Sequence, residues 1–91
     1  MRMSETRKYS RPTYDQASKI IAKFGSEARL ARVLGLYRGT VYRWSYGRPI
    51  GQDGLIPAAR IAPIQDAAER LGIELTEADW ALNRIDYRDV K

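Results

Sequence analysis

Apolar residues first fall into helical register at Ala17, Ile20, Ile21 and Phe24, spaced i, i+3, i+4 and i+7, which gathers them on one helix face. Pro12 cannot extend that helix backward, Thr13 and Gln16 stand at capping-box spacing, and Gly25 supplies the left-handed residue that closes helices. The pattern predicts a helix over Tyr14 to Phe24. Ser26 then offers an N-cap and Glu27 an acidic first turn, followed by a buried side of Ala28, Leu30, Ala31 and Leu34 that stops at Gly35. A third helix is predicted from about Arg38 to Tyr46, ended by Gly47 and Pro49.

The stretch Arg48 to Pro57, RPIGQDGLIP, is rich in Gly and Pro and reads as an exposed loop. Beyond it Ile61, Ile64, Ala68 and Leu71 keep helical spacing up to Gly72, but Pro63 removes a backbone donor and crowds the preceding turn. A short turn over Pro57 to Ala62 with the main helix from Pro63 is expected, a kinked continuous helix being the alternative. Thr76 and Asp79 predict a last short helix, Glu77 to Leu82, anchored by Trp80. The fold class is therefore all-α: a compact bundle of about five short helices. Residues 1–12 read as a flexible basic arm, 13–82 as the folded domain and 83–91 as a tail.

On a wheel of about 100° per residue with Val41 at zero, Trp44 falls near 300° and Tyr37 near 320°, which points both inward. Arg38, Gly39, Tyr42, Arg43 and Tyr46 fall between about 60° and 200°, a face of guanidinium and phenol groups with one glycine that admits close backbone approach. Tyr37 reads as core, with contact to a phosphate from the helix start as the alternative. Such a face suits base edges and phosphates, because arginine can grip guanine in a bidentate fork.

Charge sharpens this picture. Residues 1–50 carry eleven Lys/Arg against three acids, a net +8, whereas residues 51–91 carry five against eight, a net −3. A positive field confined to one half fits a polyanion, whose released counterions drive association. Cysteine and histidine are both absent. That removes disulfides, thiolate and imidazole zinc ligands and the usual nucleophile and base pairs of hydrolases. A non-enzyme without cofactor or metal is expected. With no apolar stretch of roughly 20 residues and no apolar leader, the expectation is a cytosolic, nucleoid-associated protein without membrane contact.

The segment FGSEARLARVLGLYRGTVYRW resembles the helix-turn-helix of Cro/CI-type phage repressors, the XRE superfamily, particularly short prophage regulators of the YdaS and Cro type. Ala31 matches the small residue where the two helices cross, Gly35 the turn glycine and Val41 the buried aliphatic of the second helix. IPAARIAPIQDAAERLG and LTEADW resemble the helices that follow, so the likeness spans about Tyr14 to Trp80. It implies a lambda-repressor-like domain that binds double-stranded DNA with its second motif helix in the major groove. The family's base-reading positions fall on Arg38, Gly39, Tyr42 and Arg43. Glu27 departs from the glutamine common at the first motif position, and Gly39 departs from the serine or glutamine frequent in relatives.

Arg29 and Arg32 on the first motif helix and Arg48 beyond the second are placed to clamp the DNA backbone or to remain a solvated face. Tyr37 and Tyr46 join them as backbone candidates. Arg2, Arg7, Lys8 and Arg11 form an arm that lies along a groove or stays unbound. GQDG lacks the Lys-Ser/Thr ending and the preceding strand of a phosphate-cradling loop and reads as a turn, and Asp66 and Glu69 read as solubilising charge. The expected protein is a prophage-like repressor, dimeric because one domain makes few base contacts. Trp80, Ile85, Tyr87 and Val90 are candidates for the two-fold interface. An activator or an antitoxin of the same fold, with RNA polymerase or a toxin as partner, is the alternative within DNA binding. A protein-interaction module that uses the Tyr/Arg face is the alternative outside it.

Overall fold

The computed structural model describes residues 11–87. The predicted arm residues Arg2, Arg7 and Lys8, and Val90 of the predicted interface, lie outside them. Within them the chain forms α1 (Gln16–Phe24), α2 (Glu27–Leu34), α3 (Arg38–Trp44), α4 (Ala58–Leu71) and α5 (Glu77–Trp80), an all-α bundle without strands among the described residues. No helix there is long and apolar enough to cross a membrane.

Most of the core comes from the apolar stripes read from the sequence; Ala67 of α4 and Ile56 of the Gly/Pro-rich segment join it, while Ala28 is only half-buried. Ala17, Ile20, Ile21 and Phe24 of α1 pack with Leu30 and Ala31 of α2, Val41 and Trp44 of α3, and Ile64, Ala67 and Ala68 of α4. α2 lies against α1, α3 and α4, while α5 lies against α1. Leu71, expected on the buried side of α4, is instead half exposed, because Gly72 ends the helix one residue later and Ile73 turns in against the core.

Local signals set several helix ends. The Ser26 hydroxyl accepts from the Arg29 amide at 3.1 Å, the N-cap expected of it. At the other end of α2 the Leu36 amide donates to the Ala31 carbonyl (2.8 Å) and the Gly35 amide to that of Arg32 (3.2 Å), the Schellman closure, with Gly35 at φ 70°. Before α5 the Asp79 carboxylate accepts from the Thr76 amide at 2.9 Å.

Long-range contacts override the local signal elsewhere. Thr13 and Gln16 form no capping box: the Thr13 amide donates to Asp53 Oδ1 (2.8 Å), and Gln16 is buried. Its amide spans two elements, Nε2 donating to the Trp80 carbonyl and Oε1 accepting from the Ile56 amide, both at 2.7 Å. α1 consequently begins at Gln16, two residues after the predicted start. α4 runs unbroken through Pro63, the continuous alternative rather than the expected turn plus helix. One helix bond is lost near its first turn, while Ile61, Ile64 and Ala68 hold both sides of the proline on the core.

The Gly/Pro-rich segment is a strap rather than an exposed loop. Gly54 and Ile56 are buried, and amides of Gln52, Asp53 and Gly54 donate to carbonyls of Arg43, Tyr46 and Trp44 at 2.8–3.0 Å. On its other side the Tyr14 amide donates to the Asp53 carbonyl and the Ala17 amide to that of Gly54. A β-carbon at Gly54, whose φ is 86°, would collide with the Tyr14 carbonyl, so only glycine fits this crossing. Residues through Tyr87 also dock. The Ile85 amide donates to the Thr13 carbonyl (2.9 Å), the Tyr87 hydroxyl to that of Pro12 (2.7 Å), and the Arg11 guanidinium lies 4.7 Å from the Tyr87 ring centre.

Asp79 makes stability pH-dependent in a defined direction. The Thr76 amide, and then Lys23 Nζ at 3.1 Å, hold its carboxyl below the ordinary value of 3.8. A depressed folded pKa contributes stability that is complete above 3.8 and disappears as pH falls through the lowered value. Thermal melts from about pH 7 to about pH 2.5 are expected to show the wild-type midpoint falling more steeply than that of Asp79→Asn, with the two curves converging at the acid end.

Candidate nucleic-acid interface

α2 and α3 are joined by Gly35, Leu36 and Tyr37, a connection short enough to fix one helix against the other. Leu36 packs partly into the core beneath the turn, and Val41 and Trp44 are almost wholly buried. That leaves Arg38, Tyr42 and Arg43 exposed along the opposite side, with Gly39 and Thr40 half-buried between them. Val41 and Trp44 point inward as the wheel required.

Tyr37 does not, for its exposure is 78%. The wheel treats it as a helical residue, but it is the N-cap, extended at φ −67° and ψ 135°, so the 3.6-residue period does not reach it. The expectation that Tyr37 is core is corrected, and its ring joins the outward face. There it lies against Gly39: a β-carbon at Gly39 would come within 2.6 Å of Tyr37 Cε2 and 3.0 Å of Cδ2. The close backbone approach expected at Gly39 is thus taken up by a neighbouring ring.

α3 ends at Trp44, two residues before the predicted Tyr46. The Ser45 and Tyr46 amides tighten onto the Tyr42 and Arg43 carbonyls, and the strap amides take the carbonyls of Arg43, Trp44 and Tyr46. Tyr46 therefore sits half-buried past the helix end. Arg48 follows, largely exposed, with Nε 3.7 Å from Asp53 Oδ2. Asp53 is the residue missed by local reading. One side chain and its backbone join the strap to Thr13, Tyr14, Tyr46 and Arg48, whereas the GQDG turn signal gives no sign of these distant partners.

The backbone candidates divide between two places. Arg48 lies beyond the end of α3, on the strap. Arg29 and Arg32 are exposed on α2 and line a groove with Lys23, Phe24, Gly25, Val33, Leu71 and Ile73, to which no α3 residue contributes. Among the described residues no group of three or more His, Cys, Asp or Glu is placed to hold a metal ion. No family model matches the chain, and neither a curated protein nor a solved structure matches it.

Proposed function

We propose that the chain is a sequence-specific double-stranded DNA-binding transcriptional regulator of the Cro/CI helix-turn-helix type, a prophage-like repressor that lays α3 in the major groove. The observation that carries this reading is the orientation of α3. Burial of Val41 and Trp44 leaves Tyr37, Arg38, Tyr42 and Arg43 outward on a helix held at both ends, within the half of the chain that carries a net +8. Rigid support matters here because base readout depends on side chains meeting fixed donor and acceptor positions.

In this reading Arg38, Tyr42 and Arg43 meet base edges and Arg48 and Tyr46 the backbone. Arg29 and Arg32 add backbone contacts where the duplex passes α2. No enzymatic step, metal or cofactor enters. A two-fold dimer would present two copies of α3 to half-sites about 34 Å apart, with the α5 end of the domain as its interface. The test is Arg43→Ala against a duplex recovered by selection from a random library. Affinity is expected to fall by about 1 to 3 kcal/mol on that duplex and far less on unrelated sequences, with thermal stability barely changed because the side chain faces outward. An equal loss on every duplex would reduce Arg43 to a phosphate contact.

A further inference from the structure

Among the described residues Tyr37 is the most exposed of the large apolar side chains at 78%, and one edge of its ring lies against the first turn of α3 at Gly39. The seat requires Gly39, since a β-carbon there would stand 2.6 Å from Cε2 and 3.0 Å from Cδ2 of the ring. Glycine inside a helix is unfavourable relative to alanine, so its presence on a seven-residue helix calls for a local reason, and the ring supplies one. Two residues that read separately as a core tyrosine and a glycine admitting close approach form one unit: a wet aromatic surface laid over the glycine beside Arg38.

We propose that Tyr37, seated on Gly39, is a specificity-determining contact that recognises the 5-methyl group of a thymine in the bound duplex. The inference rests on the DNA-binding reading given above. Apolar contact is the means by which a side chain senses that methyl in the major groove, and an exposed ring already lying along the start of α3 brings apolar area to it. A phosphate contact would use only the hydroxyl and leave the exposed face of the ring unused.

The experiment replaces each thymine of the selected duplex in turn by deoxyuridine, which deletes the methyl and keeps every hydrogen-bonding group. Affinities are measured for the wild type and for Tyr37→Phe, Tyr37→Ala and Gly39→Ala. Wild-type protein is expected to lose about fourfold at one thymine per half-site, the factor that burial of one CH₂-sized group gives. Tyr37→Phe should keep that loss, Tyr37→Ala should abolish it, and Gly39→Ala should abolish or shrink it while melting no lower than the wild type. Wild-type binding indifferent to every deoxyuridine, or a Tyr37→Phe variant that has lost the discrimination, overturns the inference and leaves DNA binding standing. Failure of the wild type to bind any duplex overturns the functional reading itself.

Discussion

Trp44→Ala is expected to destabilise the domain by about 3 to 5 kcal/mol in urea unfolding, the range for removing a large aromatic from a core. The indole is 2% exposed and belongs to the buried cluster that α3 shares with α1, α2 and α4. Its backbone also accepts the Gly54 amide at 2.8 Å, so a collapse around the lost ring would loosen the strap that ends α3. A domain of this length holds roughly 5 to 14 kcal/mol in total, so the loss is a large fraction of what keeps it folded. DNA binding should fail in parallel, through unfolding rather than through a lost contact. A near-neutral result would mean that the indole is not core, and the orientation of α3 would have to be abandoned.

The helix pair was legible in the sequence because its signals are local. Ser26 caps within three residues, Gly35 closes α2 within one turn, and the spacing of Val41 and Trp44 selects one face of a short helix. Tyr37 was misread for the same reason in reverse: a wheel assumes helical backbone, and the N-cap does not have it. The strap and the docked residues 83–87 were not legible, since each depends on partners far along the chain, and the continuous α4 through Pro63 was legible only as the alternative. Gln16 did carry a usable sign. It stands four residues before Ile20 and eight before Phe24, on the apolar stripe itself, and a polar residue there has to satisfy both ends of its amide inside the protein.

For the candidate site, residue types and exposure were readable at Arg38, Tyr42 and Arg43, whereas the ring on Gly39 was not. Two residues apart, Tyr37 and Gly39 would not face each other on a helix; they meet because the chain is extended at one and helical at the other. Arg29 and Arg32 share the positive half with α3, but the groove they line has Phe24, Val33, Leu71 and Ile73 among its walls. Net charge alone could not separate these two places.

The outward face of α3 is tested most directly by the salt dependence of its affinity for the selected duplex, measured by fluorescence anisotropy beside the doubly neutralised Arg38→Ala/Arg43→Ala variant. About six to ten phosphate contacts predict a wild-type affinity that drops by roughly 10³ to 10⁵ between about 50 and 200 mM salt. The variant, folded and melting like the wild type, should bind more weakly throughout and discriminate less between sequences. Affinity that ignores salt, or a double variant that binds the selected duplex as tightly and as selectively as the wild type, would contradict the account.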